Sequence, residues 1–270
     1  MVFKFTLREM FRALSSRTPN AVIKAVVFDL DGTLIDSETG WFRTFQAATA
    51  AYERSWTVQD HLPLMSSPRT EWFKELDKKL GLGWDLGRYE RMIDAVRVVV
   101  DPNYPCPFPG TKETLDWAFV RWPLVVASSS KRDRVLNNLK IMGVDRYFSV
   151  VIGGDDIQKT KPAPDTYLKA VAELDLPPQH CLAVEDSVNG VRSAISAGLQ
   201  VLAVSNPILP IPESELALCH GVISNIEEVP SWFEFRLASV LASETTARNE
   251  TGGNNDVEGY TCGSCGVESE

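Results

Sequence analysis

The chain has 270 residues, of which 44% are hydrophobic and 23% are charged, so it is long enough to bury a sizeable core as one domain with an insert. Its formal net charge is −9, but residues 243–270 hold six acidic residues and one arginine, which leaves an ordinary balance elsewhere. The lack of a basic surface argues against nucleic acid as a partner, and the lack of a long apolar stretch argues against a membrane span.

The first twenty residues predict an amphipathic helix, with Phe3, Leu7 and Phe11 on one face and basic residues around it. Such a helix is typical either of a protein surface or of an organellar transit peptide. The cysteines are scattered and indicate no disulfide framework, which favours a reducing compartment. We therefore expect a cytoplasmic protein, with an organelle as the alternative.

The first predicted strand, at residues 22–28, ends in two carboxylates. A continuous apolar run before a glycine turn is typical of a central parallel strand, and ligands bind at the carboxyl ends of such strands. Asp29 is the predicted nucleophile, and Asp31 is its predicted acid/base partner. The alternative for an isolated pair of this kind is a strand followed by an Asx turn.

The next segment reads as helical, with predicted helices at residues 38–52, 70–80 and 89–100, and it is too long for a simple loop. Arg69 is predicted to lie in a loop between two of these helices and to reach the substrate. Aromatic residues at helical spacing are more often core than binding site. This expectation applies to Trp41, Phe42, Trp72 and Phe73.

A helix at residues 111–120 precedes a second buried strand, which runs into three serines. Ser128 and Ser129 are predicted to bind a phosphate oxygen, because hydroxyl and backbone N–H groups at a strand end can donate to it. The alternative is that these serines only cap the predicted helix at residues 133–142.

Lys161 is followed by Pro162 and Pro164, which restrict the backbone before a predicted helix at residues 166–174. An ammonium group presented in this way would neutralise the charge of a phosphate. A solvated surface lysine is the alternative.

A third apolar strand, at residues 181–184, ends in Glu185 and Asp186 and precedes a predicted helix at 188–197. Strands at 200–205 and 221–223 continue the sheet. The carboxylates that follow the first and third strands would repel each other at one sheet edge unless a hard cation bridged them, and Mg²⁺ suits such oxygen ligands. The alternative is a carboxylate that caps the following helix.

In this order, the segments D-L-D-G-T-L, A-S-S-S, K-P-A-P-D and E-D-S-V-N-G resemble motifs I to IV of the haloacid dehalogenase-like hydrolase superfamily, over residues 23–207. The resemblance implies a doubly wound α/β fold, with a Rossmann-like parallel sheet and a small helical cap inserted after motif I. It also implies an aspartyl-phosphate intermediate and Mg²⁺.

Carried over by position, the resemblance makes Asp29, Asp31 and Asp186 the metal ligands, Asp31 through its backbone carbonyl, with Glu185 as an alternative or supporting ligand. It makes Ser128 and Lys161 phosphate-binding residues. The expected domains are an N-terminal extension at 1–20, a core at 21–36 and 109–242, a cap at 37–108 and a disordered acidic tail at 243–270.

Cys262 and Cys265 form a lone CxxC in this tail, where a linker is more typical than a metal or redox site.

The function predicted from the sequence is a Mg²⁺-dependent phosphatase, expected to be monomeric, that acts on a small phosphorylated metabolite, foremost a sugar phosphate. The main alternative is a mutase similar to β-phosphoglucomutase; such enzymes tend to carry a histidine where this chain has Trp41. Dehalogenases lack a second aspartate such as Asp31, and its presence here argues against that activity. A non-catalytic interaction protein would lack a motif residue, and none is missing here.

Overall fold

The computed structural model describes residues 22–65, 67, 69–101, 104–206 and 210–238, except for the side chain of Arg69. The predicted helix at residues 1–20 and the pair Cys262 and Cys265 lie outside the described residues. The chain divides into two units, residues 1–232 and 233–270. Of the second unit, the described residues 233–238 are helical.

Six parallel strands form the central sheet of the first unit. They are β1 (Ala25–Phe28), β2 (Leu124–Ala127), β3 (Phe148–Ile152), β4 (Cys181–Glu185), β5 (Gln200–Val204) and β6 (Gly221–Ile223). Every residue of β1, β2, β4 and β5 is buried, as expected for parallel strands that are covered by helices on both faces.

The chain changes direction across the sheet at β1, because the strand order is β3-β2-β1-β4-β5-β6. In the register of the sheet, Phe28 at the end of β1 pairs with Val126 of β2 on one side and with Val184 of β4 on the other. The segments that follow these three strands therefore open at one edge. Such a switch point is where open α/β sheets bind ligands.

Nine α-helices have both ends inside the described part of the chain. The first four are α1 (Ser37–Ala50), α2 (Val58–His61), α3 (Arg69–Leu80) and α4 (Leu86–Val100). The other five are α5 (Thr111–Phe119), α6 (Arg132–Ile141), α7 (Asp165–Ala172), α8 (Val188–Ser196) and α9 (Glu213–Leu216). Apolar residues of α7 and α8, including Tyr167, Ala170 and Val191, share one core cluster with the sheet.

Helices α1 to α4, which we call the helical insert, lie between β1 and α5 and have a separate core. Helices α1 and α4 each begin at an aspartate, Asp36 and Asp85, whose side chain accepts a hydrogen bond from a first-turn N–H. The core of the insert is mainly aromatic, and it confirms that most of the predicted core residues are buried. It contains Trp41, Phe45, Trp56, Trp72, Phe73 and Tyr89, with Phe42 partly buried against it.

The two chain connections to the insert lie side by side. Ile35 and Pro107 form an antiparallel bridge. The Asp36 N–H donates to the carbonyl of Cys106 at 2.9 Å, and the Phe108 N–H donates to the carbonyl of Leu34 at 3.1 Å. The division into a core and a cap domain stays a prediction, since the sheet and the insert belong to one compact unit.

The predicted α/β class with a parallel sheet is confirmed, and the predicted helices begin and end within about three residues of the observed ones. Arg69, which was expected in a loop, is the first residue of α3, so that prediction was wrong. Strand β3 and the short helices α2 and α9 were not predicted. None of the helices in the described ranges combines the length and apolar character that crossing a membrane requires.

Candidate active site

Asp29 lies at the switch point because it continues β1 by one residue. Its backbone N–H donates to the carbonyl of Val184 at 3.0 Å, so the sheet register brings its side chain towards Glu185. Gly32 then turns the chain with a φ of +91°, and a Cβ at this position would lie 2.2 Å from an oxygen of Asp186. Glycine at residue 32 therefore allows both the turn and the close approach of that carboxylate.

Lys161 is the central cation of the site. Its Nζ donates to Asp29 Oδ1 at 2.5 Å, to Glu185 Oε1 at 2.5 Å and to the carbonyl of Ala127 at 2.8 Å. These bonds use all three N–H groups of the ammonium. Burial by itself lowers the pKa of Lys161, but Asp29 and Glu185 outweigh it and hold this pKa above its usual value. Lys161 is therefore charged and held in one place, which excludes a solvated surface lysine.

Glu185 is fully buried and holds Lys161 from the other side. Its Oε1 also accepts a hydrogen bond from the Tyr167 hydroxyl at 2.7 Å. Its Oε2 accepts from the hydroxyl and the N–H of Ser187 at 3.3 and 3.4 Å. Because Glu185 holds the ammonium of Lys161 with an oxygen that Tyr167 also contacts, it fits the supporting role behind Lys161.

Gly190, in the first turn of α8, leaves room for the Glu185 carboxylate, and we expect Gly190→Ala to destabilise the protein. A Cβ would lie 1.9–2.0 Å from the carboxyl carbon and both oxygens of a group that three other residues hold in place. Such overpacking costs about 1–3 kcal/mol, measurable by urea unfolding. Gly87→Ala is the control, because a Cβ there has no contact closer than 3.3 Å. Equal effects of the two changes would contradict the expectation.

Asp186 is oriented by two donors from separate segments. Thr33 Oγ1 donates to Oδ1 at 3.1 Å, and Asn206 Nδ2 donates to Oδ2 at 3.2 Å. Only 6% of Asp186 is exposed. The side chain therefore points in a fixed direction next to the turn at Gly32.

Asp29, Glu185 and Asp186 form a buried cluster in which each provides an oxygen within 4.8 Å of the others. Burial raises the pKa of Asp29 well above its usual value; Lys161 opposes this shift, while Glu185 and Asp186 add to it. Burial and Glu185 raise the pKa of Asp186 to about 7. Buried carboxylates that repel each other fit a hard divalent cation, because its charge would relieve that repulsion.

The serines that follow β2 contact Asp31. Ser130 Oγ donates to Asp31 Oδ2 at 2.8 Å, and Ser128 Oγ donates to the same oxygen at 3.4 Å. Ser129 is exposed, and its backbone carbonyl lies against Gly154, where a Cβ would approach to 2.3 Å. The structure thus brings Ser128 to the predicted site. Phosphate binding by Ser128 and Ser129 stays a prediction, and so does substrate binding by Arg69, whose side chain is outside the described part.

Thr33, Ser130, Tyr167 and Asn206 contribute to this geometry and were not predicted from the sequence. The sequence contains a local indication of the role of two of them. Asn206 follows the predicted strand at 200–205, so it lies at the same edge as the aspartates, and Ser130 belongs to the predicted serine run. The contacts of Thr33 and Tyr167 depend on residues more than fifteen positions away and give no local pattern.

A buried carboxylate cluster surrounds one lysine at the switch point of a parallel sheet. This is the arrangement that the sequence motifs implied. The family model for haloacid dehalogenase-like hydrolases matches residues 26–204, and the chain belongs to this family. The resemblance stated from the motifs is thereby confirmed, and so is the prediction of a phosphoric monoester hydrolase, given the phosphatases among its relatives.

The relatives of the chain include a named phosphatase and CbbY proteins. The phosphorylated carbohydrates phosphatase of Thermotoga maritima is 28% identical over 66% of this chain and 83% of its own length. Protein CbbY of Rhodobacter capsulatus is 32% identical over 67% of this chain and 84% of its own. The crystal structure of CbbY from Rhodobacter sphaeroides with phosphate has a TM-score of 0.65 at 26% identity and covers 77% of this chain and 96% of that one. A phosphatase that acts on small phosphate substrates is therefore supported.

Proposed function

We propose that the protein is a Mg²⁺-dependent phosphatase that hydrolyses a small phosphorylated metabolite, foremost a sugar phosphate, through an aspartyl-phosphate intermediate. The observation that carries the proposal is the contact of Lys161 with Asp29 at 2.5 Å, inside a buried carboxylate cluster. An ammonium at this distance steers a phosphoryl group towards the carboxylate and offsets its charge. The named activity of the Thermotoga maritima relative supports the substrate class.

In the proposed first step, a carboxylate oxygen of Asp29 attacks the phosphorus, and the bond from phosphorus to the leaving oxygen breaks. Asp31 gives a proton to that oxygen, so the metabolite leaves as an alcohol. Ser128 and Ser130, which both donate to Asp31 Oδ2, orient the carboxyl group for this transfer.

In the second step, Asp31 takes a proton from a water molecule, whose oxygen attacks the phosphorus of the aspartyl-phosphate. The bond between phosphorus and Asp29 breaks, and inorganic phosphate leaves. Lys161 stays close to the phosphoryl oxygens in both steps, because Glu185 and the carbonyl of Ala127 hold its ammonium.

Asp29, Asp186 and the backbone carbonyl of Asp31 would hold Mg²⁺, which supplies positive charge beside the phosphoryl oxygens when bound. Their fit rests on the repulsion between the buried carboxylates of Asp29 and Asp186. Thr33 and Asn206 hold the carboxylate of Asp186 in one orientation through hydrogen bonds to its two oxygens.

Phosphate release from a panel of phosphorylated sugars, nucleotides and small organic phosphates in the presence of Mg²⁺ tests the proposed function. We expect turnover to be highest on sugar phosphates and to stop when EDTA removes the metal. Full activity in EDTA, or a best substrate outside the sugar phosphates, would contradict the corresponding part of the proposal.

The alternative function is a phosphosugar mutase. Trp41 occupies the position where such enzymes tend to carry a histidine, and its indole is 5% exposed and offers no acid/base group. Product analysis with glucose 1-phosphate separates the two functions. A phosphatase releases inorganic phosphate as its main product, whereas a mutase yields mainly glucose 6-phosphate.

The remaining expectations from the sequence form part of this proposal. We propose a cytoplasmic monomer without a nucleic acid or membrane partner. The acidic balance of the chain supports the part of this that concerns nucleic acid.

A further inference from the structure

The segment after β3, residues 153–156, lies against the segment after β2, residues 128–131. We call them the β3 loop and the serine loop. They leave the sheet side by side because β2 and β3 are neighbours. The Gly154 N–H donates to the carbonyl of Ser130 at 2.8 Å, and the Ser130 hydroxyl donates to Asp31 Oδ2 at 2.8 Å. The β3 loop is therefore connected to the proposed acid/base through one residue.

Two consecutive glycines allow the two loops to approach each other. A Cβ at Gly154 would lie 2.3 Å from the backbone oxygen of Ser129, and a Cβ at Gly153 would lie 2.4 Å from the backbone nitrogen of Arg132. Both of these neighbours are backbone atoms, which cannot rotate away as the end of a flexible side chain can. The close approach of the loops therefore requires glycine at both positions.

Asp155 of the β3 loop caps helix α6, which follows the serine loop. Among the described residues, the side chain of Lys131 at the N-cap makes no capping hydrogen bond. Asp155 Oδ1 instead accepts from the backbone N–H of Arg132, the first residue of α6, at 2.7 Å. The first N–H groups of a helix have no partner within the helix, and a carboxylate there is favourable. The helix thus receives its capping group from a different loop.

The side chain of Arg132 extends the contact between the two loops. Its Nε donates to the carbonyl of Val151 at 3.2 Å and lies 3.5 Å from Asp156 Oδ2. The same carboxylate oxygen accepts from the backbone N–H of Gly153 at 2.8 Å. The β3 loop is therefore fixed internally while it holds the start of α6.

This arrangement has a consequence for the serine hydroxyls. A serine next to a helix start readily accepts from the unpaired N–H groups there, which is the capping role considered from the sequence. Asp155 accepts from the Arg132 N–H, so α6 is capped without a serine. A Ser130 hydroxyl that turned to cap the helix would instead leave Asp31, to which it now donates.

We propose that Asp155 is a positioning residue, which caps α6 and thereby keeps Ser130 in contact with Asp31. The inference rests on the proposed phosphatase function and adds to it a residue that acts on the proposed acid through the serine loop. A sugar alkoxide must be protonated as it leaves, whereas p-nitrophenolate leaves without a proton. Loss of the Asp155 carboxylate should therefore slow the hydrolysis of a sugar phosphate more than that of p-nitrophenyl phosphate.

The test compares kcat/KM for p-nitrophenyl phosphate with kcat/KM for the best sugar phosphate of the panel described above, in the full chain with Mg²⁺. This constant covers the steps up to the departure of the leaving oxygen and so excludes hydrolysis of the aspartyl-phosphate. We expect Asp155→Ala to lower it about fivefold or more for the sugar phosphate and less than about twofold for the aryl ester. Asp155→Asn should keep the wild-type ratio of the two constants, because asparagine caps a helix about as well as aspartate.

Asp133→Ala is the matched control. Asp133 is an exposed aspartate in the first turn of the same helix, so the change removes a charge there and leaves the bond from Arg132 to Asp155 in place. It should keep the wild-type ratio. Gly154→Ala is a second, independent variant, because its Cβ would displace the serine loop, and it should change the ratio in the same direction as Asp155→Ala. Thermal unfolding checks that each variant is folded.

Wild-type activity and amide hydrogen exchange separate this inference from the proposed function. If wild type hydrolyses both esters but Asp155→Ala slows both equally or neither, the positioning role is overturned and the phosphatase function stands. If wild type hydrolyses neither ester, the proposed function fails. Amide exchange of residues 128–132 then still tests the hold on the serine loop: it should be faster in Asp155→Ala than in wild type and Asp133→Ala, and equal exchange would overturn it.

Discussion

Replacement of Asp29 by asparagine is expected to lower phosphate release by about a thousandfold or more and to leave the fold intact. The amide has the size of the carboxylate but cannot attack phosphorus. Burial raises the pKa of Asp29 well above its usual value, so a neutral group at this position is not costly to the folded state. The measurements are initial rates of phosphate release and the thermal unfolding of both proteins.

Asp36→Asn is the matched control for this change. Asp36 lies seven residues further along the chain and caps α1 through its side chain, a role in which asparagine is about as good as aspartate. It should keep both the activity and the stability of wild type. A correctly folded Asp29→Asn variant with more than about a tenth of the wild-type rate would contradict the nucleophile assignment.

Replacement of Asp186 by asparagine is expected to stabilise the metal-free protein and to remove the stabilisation that Mg²⁺ gives. Burial and Glu185 raise the pKa of Asp186 from 3.8 to about 7, so the folded state binds more protons than the unfolded state between these two values. The stability that this group contributes is therefore present below pH 3.8 and is lost as the pH rises to about 7.

The advantage of the Asp186→Asn variant in EDTA should accordingly grow from pH 4 to pH 7, to at most about 4 kcal/mol, and then level off. Urea unfolding at several pH values measures it, and titration with Mg²⁺ should stabilise wild type only. Asp145→Asn, at an exposed aspartate, is the control and should follow wild type throughout. A variant that is less stable than wild type at pH 8 in EDTA would contradict the expected electrostatic repulsion.

The sequence predicted the sheet edge and the aspartates at it because these depend on local pattern. Apolar runs such as β1 and β4 are buried on both faces, and residues that directly follow parallel strands share one edge. Strand β3 was missed because it is the edge strand, and most of its residues are only partly buried, with a serine inside the apolar run.

Within the site, contacts between side chains that are far apart in the sequence could not be predicted. The hydroxyl of Tyr167 meets Glu185 only once α7 packs on the sheet. In the insert, Arg97 had a signal that was not used: Tyr89, Ile93 and Arg97 are four residues apart, so all three fall on the buried face of α4. Arginine is usually exposed, but this helical spacing indicates a buried position, which is the one observed.

The bridge between Ile35 and Pro107 has a consequence for how much change the fold tolerates. Cα atoms that face each other across such a bridge are only about 5 Å apart. The chain therefore enters and leaves the helical insert at neighbouring points, as it does in a hairpin loop. The span between its two ends does not depend on the length of chain between them. We therefore expect the sheet to tolerate helical segments of other lengths at this bridge without a change in strand register.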